Sequence, residues 1–264
     1  MILRPLLPAS EARPTNGAEP VWQIISRTQS AHSERYLLIG QPEHARLSGE
    51  LASRFQAPFL PEINAEVMKA IAVHDDGWAA TPFERDLKGD PPTTSHGRPQ
   101  HFMQVSVDHS LRAWSGSVSV AGEAGPLAKF MVSSHFSRIA RLRIQLQMDS
   151  PAQMAQLERF AMLEEDEQER LIESLHLSPE KSAEYVDLLQ FCDALSLYLC
   201  CGSTDAALFP QRFAGQEITI DYQDGVYTTH PALFGHAPQR FSVQVRVYPS
   251  ASSEGHTRIG FHIQ

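Results

Sequence analysis

The sequence predicts an α+β fold, mainly α-helical, with a small antiparallel sheet formed by strands from both ends of the chain. Three observations predict it. Between Gln41 and Cys201, apolar residues recur at three- and four-residue spacing, the period of an amphipathic helix. After Gly202 the pattern changes to alternation, cleanest in Phe241-Ser-Val-Gln-Val-Arg-Val247, the period of a half-buried strand. Near the start, Val21-Trp-Gln-Ile-Ile25 and Tyr36-Leu-Leu-Ile39 are short apolar runs separated by the polar stretch Arg27 to Glu34, and they read as two strands.

The elements follow in order. Residues 1–20 read as a loosely held N-terminal arm. Gln41-Pro42 opens the first helix, with proline in its first turn. Leu47, Leu51 and Phe55 form its inner stripe, His44 lies three residues before Leu47, and Pro58 and Pro61 end it. A second helix is expected from about Glu62 to Asp76, with Gly77 as its stop. Residues 82–104 hold Pro82, Gly89, Pro91, Pro92, Gly97 and Pro99, and are expected to be an irregular loop that covers whatever site precedes it. Helices are expected near 106–118 and from Pro126 to Gln147. Ser150-Pro151 and Ser178-Pro179 are helix starts, a capping hydroxyl followed by a first-turn proline. Between them Glu164-Glu-Asp-Glu-Gln-Glu169 reads as a solvated junction between helices. The stretch from about 180 to 201 is apolar around most of a helix, which places it at the centre of the core. Beyond it, Ile218-Thr-Ile-Asp-Tyr222 and Val226-Tyr227 flank Asp224-Gly225 as a hairpin, and Arg258-Ile-Gly-Phe-His-Ile263 is a further strand. The organisation expected is an arm over 1–20, a helical domain with its N-terminal strands over 21–202, and a β-rich extension over 203–264 packed on that domain.

Composition narrows the function. The chain has 264 residues and a formal net charge of -9, which disfavours nucleic acid and anionic membrane as partners. No apolar run approaches the ~20 residues that span a bilayer. Residues 1–20 lack the apolar core of a signal peptide. Three clustered cysteines, Cys192, Cys200 and Cys201, suit buried thiols in a reducing compartment. A cytoplasmic location is the expectation.

Chemistry concentrates in a few polar residues on apolar helix faces. Ile63, Val67 and Ile71 step at helical spacing up to His74, and Asp75 follows at once. Asp193 sits in the most apolar helix, four residues from both Leu189 and Leu197. Unpaired, a carboxylate there would be costly. His44, His109 and His135 complete a set of nitrogen and oxygen donors from several helices, the means by which a bundle holds a metal. The set contains no cysteine, so Fe, Mn, Zn, Co or Ni fit better than a thiolate zinc site.

The order His44, His74-Asp75, Asp193 resembles the HD-domain superfamily of metal-dependent phosphohydrolases. The histidines between, His109 and His135, resemble the extra ligands of its binuclear members, which include phosphodiesterases and di-iron oxygenases. Gln41-Pro-Glu-His-Ala-Arg-Leu47, His74-Asp-Asp-Gly-Trp78, Gly97-Arg-Pro99, Ser134-His-Phe136 and Phe191-Cys-Asp-Ala-Leu-Ser-Leu197 look like the uncharacterised bacterial family domain of unknown function 3891, over roughly residues 35–200. The resemblance implies an HD-like helical bundle. It also implies one or two divalent ions on His44, His74, Asp75, His109, His135 and Asp193, with Asp75 as the bridge.

The activity so implied is hydrolysis of a small phosphorylated metabolite or nucleotide by a metal-activated water. Asp75 and Asp76 are the candidate catalytic carboxylates, and Arg98 and Arg138 the candidate phosphate-gripping residues. A di-iron oxygenase and a non-catalytic metal-binding structural or sensor protein are the rival readings. Reaching one ion from adjacent residues is a geometric problem, because His74 and Asp75 diverge by about 100° on an ideal helix. The helix end must therefore distort, and Gly77 permits it.

Overall fold

The computed structural model describes residues 1–6, 17–235, 237–249 and 256–264. Along the chain run β1 (Ile2–Pro5), β2 (Glu19–Pro20), α1 (Val21–Ser30), β3 (Tyr36–Ile39), α2 (Gln41–Ala52) and α3 (Ala65–Val73). A 3₁₀ turn (Asp76–Ala80), α4 (Pro82–Asp86) and a second 3₁₀ turn (Phe102–Gln104) lead to α5 (Val107–Ala124), α6 (Pro126–Gln145), α7 (Pro151–Leu175) and α8 (Pro179–Cys201). The chain ends in β4 (Ala207–Phe213), β5 (Gln216–Gln223), β6 (Val226–His230), β7 (Gln239–Tyr248) and β8 (His256–Ile263).

All eight strands form one sheet in the order β1-β3-β7-β8-β6-β5-β4-β2. The pairs β2–β4 and β6–β8 are parallel and the others antiparallel. This overturns the expected mainly helical bundle with a small antiparallel sheet: the sheet is large and mixed. Three strands escaped the sequence pattern, the two-residue β2 in the expected arm among them. Ala207–Phe213 carries Pro210 in its middle, which argues against a strand, and the β4–β5 register slips between Leu208 and Arg212 to accommodate it. Ile2–Pro5 was read as part of the arm, yet Ile2 and Leu3 are fully buried against β3. The rest of that arm, residues 7–16, lies outside the described residues.

Val21–Ile25 is helical, not a strand. A five-residue apolar run cannot distinguish the two. The burial of Val21, Ile24, Ile25 and Gln29 shows helical spacing, and Trp22 points outward. Gln29 is buried because its amide substitutes for a neighbouring strand. It accepts from Leu3 N–H at 2.9 Å and donates to the Leu3 carbonyl at 2.6 Å, satisfying the edge of β1.

The acidic stretch Glu164–Glu169 lies inside α7, a single 25-residue helix, not at a junction. It faces cations on α6: Arg141 bonds Glu158 and Glu165, Lys129 bonds Glu167, and the Gln168 amide donates to Ser133 and Ser137. Ser150 and Ser178 cap α7 and α8 as expected.

The main core joins helices to one face of the sheet through Ile2, Leu37, Ile39, Leu47, Phe191, Tyr198, Phe209 and Val243, among others. On β1 and β3 the alternate residues Leu3, Tyr36 and Leu38 build a second cluster with Met1, Phe83 and Leu87. Part of the stretch 82–104 therefore packs against β1 and β3 through Phe83 and Leu87. It is also not wholly irregular, since Thr81 caps the short α4.

Candidate metal centre

Four helices deliver the cluster. His44 lies in the first turn of α2, His74 ends α3, His135 lies in the middle of α6, and Asp193 lies in the middle of α8. Asn64 caps α3 through the Glu66 and Val67 N–H groups. Glu66 in turn accepts from Leu127 and Ala128 at the start of α6. That contact fixes the helix carrying His135 against the helix ending in His74. The required distortion is present: after His74 the chain leaves helical geometry, and Asp75 takes φ −113°, ψ 16°. Gly77 packs so closely on α5 that a Cβ would overlap the Ala113 carbonyl, and its N–H donates to Ser117 Oγ at 2.9 Å.

The donor atoms converge. His44 Nε2 lies 2.7 Å from Asp75 Oδ2 and 3.8 Å from Asp193 Oδ1. His74 Nε2 lies 3.4 Å from Asp193 Oδ1 and 3.9 Å from Asp75 Oδ2. Ligands at metal–donor distances of about 2.0–2.2 Å stand roughly 3–3.5 Å apart around tetrahedral or octahedral ions. The observed separations bracket that range, so the residues fit a divalent ion. Among the described residues, one atom each of His44, His74 and Asp193 lie within 4.8 Å of one another.

The proton inventory sharpens the fit. His74 Nδ1 is 2.8 Å from the Ile71 carbonyl, which only accepts, so that nitrogen carries the proton. Neutral His74 therefore aims a bare Nε2 lone pair at two carboxylates, and that buried nitrogen has no hydrogen-bond partner. A lone pair facing two anions requires a cation between them or a proton on the ring. Burial opposes charge on His74, but the carboxylates of Asp193 and Asp75 beside it push it up to about 9. Burial likewise opposes charge on Asp75 and Asp193, and His44 and His74 respectively hold them below the usual carboxylate range. Ser196 Oγ is 2.8 Å from His44 Nδ1 and 2.9 Å from the Asp193 carbonyl, while Ser48 Oγ lies 2.7 Å from Ser196 Oγ. His44 Nε2 donates to Asp75 Oδ2 at 2.7 Å, while its Nδ1 and the Asp193 carbonyl share the Ser196 hydroxyl.

The remaining candidates separate. The His135 ring lies 5.5 Å from that of His74; its Nδ1 is buried without a partner, and burial pushes it down to about 4, so it stays neutral. His109 stacks on Trp78, with ring centroids 5.4 Å apart, instead of touching the cluster.

A family model described as Protein of unknown function (DUF3891) matches residues 25–250. The chain belongs to that family. No curated protein and no solved structure matches it. The DUF3891 match contains every residue of the cluster.

Three other expected site residues of this DUF3891 chain lie elsewhere. Asp76, raised above its ordinary value by burial, lines a cleft of about 360 Å³ with Lys69, Glu84 and Arg85. Arg98 donates to the Gln29 and Ser30 carbonyls, closing the end of α1, so its guanidinium is committed to the fold instead of to a phosphate. Arg138 pairs with Asp187 at 2.6 Å and walls an open groove of about 600 Å³ between α6, α7 and α8. Sequence reasoning missed three supporting residues: Ser48, Ser196 and Trp78. The signal was present in their spacing, since Ser48 is one turn from His44 and Ser196 one turn from Asp193, while Trp78 closes the His74-Asp-Asp-Gly-Trp motif.

Proposed function

We propose that the protein is a metal-dependent hydrolase of small phosphorylated compounds, with His44, His74, Asp75 and Asp193 holding a divalent ion. The observation that carries the reading is the buried, unpartnered Nε2 of His74 aimed at two carboxylates. The order of the four residues, which resembles that of HD-domain phosphohydrolases, supports the reaction class. A divalent ion there supplies positive charge against a phosphoryl group and makes water acidic near neutral pH. The chain's own contribution is orientation. Ile71 sets the His74 tautomer, Ser196 sets His44, and the α8 backbone carries Asp193 into the core. His135, neutral and unpartnered at Nδ1, is suited to hydrogen-bond a substrate group beside the ion.

A second reading is favoured by burial. His44 and His74 are fully enclosed and Asp75 and Asp193 nearly so, which suits an ion that stabilises the fold without turning over substrate. The test is elemental analysis of purified protein, paired with hydrolysis of a panel of phosphomonoesters and phosphodiesters. Metal with hydrolysis that His135→Ala abolishes supports the enzyme; metal without hydrolysis supports the structural role; a metal-free protein that takes up no added ion rejects both.

A further inference from the structure

We propose that Trp78 is a positioning residue that fixes the rotation of the Asp75 carboxylate and so sets the affinity of the cluster for a divalent ion. The inference rests on the metal-site reading above. Asp75 Oδ1 accepts the Trp78 indole N–H at 3.0 Å, and only Oδ2 faces His44. The indole N–H donates and never accepts, so it holds Oδ1 on its own side and turns Oδ2 toward the cluster.

The indole has little freedom to yield that oxygen. Trp78 is buried, its backbone N–H donates to the Asp75 carbonyl at 3.2 Å, and its ring is stacked against His109. The turn between them is anchored as well, because Gly77 has no room to move off α5. Trp78 thus acts on the ion through Asp75: its N–H fixes the carboxylate rotation that points Oδ2 at His44 and His74.

The experiment is calorimetric titration of metal-stripped protein with Mn²⁺ or Zn²⁺ alone, together with native mass spectrometry in excess metal. Wild type should bind one ion per chain. Trp78→Phe keeps a ring against His109 and removes the N–H. It should weaken binding of that ion about ten- to a hundred-fold, while the melting temperature of the metal-stripped form stays near wild type. A purely structural role would lower that melting temperature and leave the affinity of the folded fraction unchanged, which would overturn the proposal. In wild type the Trp78 indole N–H resonance should shift on addition of Zn²⁺, and an unmoved resonance would overturn it too, a readout independent of whether the variant folds. His44→Ala separates the two readings: if it abolishes binding while Trp78→Phe binds as wild type, the metal site stands and the role of Trp78 falls. If wild type binds no ion, both fall.

Discussion

Opposite charges join helices in two regions of this molecule, with opposite consequences. On the surface, α6 and α7 are laced by Arg141 to Glu158 and Glu165 and by Lys129 to Glu167. In the core, α2, α3 and α8 meet through His44, His74, Asp75 and Asp193. The surface pairs are shorter, yet water screens them, and such pairs contribute about 0–1 kcal/mol each. The glutamates raise the Arg141 pKa further, but the guanidinium is charged at any accessible pH, so that shift adds no pH dependence to stability. The buried set has lost its water, and its charges must be compensated within the protein or by an ion. Distance alone therefore ranks these regions wrongly, and solvation ranks them correctly.

The comparison can be broken most directly at Asp193. Asp193→Ala removes the carboxylate that His74 faces, and breaking a buried pair costs about 3–5 kcal/mol. Urea unfolding in the presence of chelator should show a loss of that size, and a loss below about 1 kcal/mol would place the core set with the surface pairs. Metal removal comes next. If an ion occupies the cluster at a hundred times its dissociation constant, chelation costs about 2.7 kcal/mol. The melting temperature should fall with chelator in wild type and stay put in His44→Ala. Asp75→Ala should lose metal content in the folded fraction, read by mass spectrometry; full retention would remove Asp75 from the ligand set.

Gly77→Ala sharpens the comparison from the packing side. A methyl group meeting the Ala113 carbonyl should cost about 1–3 kcal/mol, as overpacking does. It should also weaken metal binding, because the turn carries Asp75. The smallest effect is expected at the surface. Arg141→Ala should change unfolding free energy by less than about 1 kcal/mol, and added salt should shrink even that.

Much of the helical order was legible because it depends on local signals. Ser150-Pro151 and Ser178-Pro179 begin α7 and α8, and Gln41-Pro42 begins α2. Asp193 was conspicuous because a carboxylate amid leucines must find a partner. The sheet was less legible. β4 contains a proline that its register slip absorbs, and β1 is completed by the Gln29 side chain. Glu164–Glu169 misled because an acidic run has no apolar stripe of its own, and its cations lie on another helix.

By itself, then, the sequence determined the helix starts, the alternating C-terminal strands, the apolar centre of α8 and the polar residues that need partners there. These follow from capping, periodicity and the cost of burying charge, all of which act within a few residues. Tertiary structure alone decided that His44, His74, Asp75, His135 and Asp193 gather while His109 stacks on Trp78 and Arg98 closes α1. It also decided that the sheet joining the two chain ends is large and mixed, with eight strands among the described residues. The reason is physical: which side chain meets which carbonyl or indole depends on how helices and strands distant in sequence pack, and no local period encodes that.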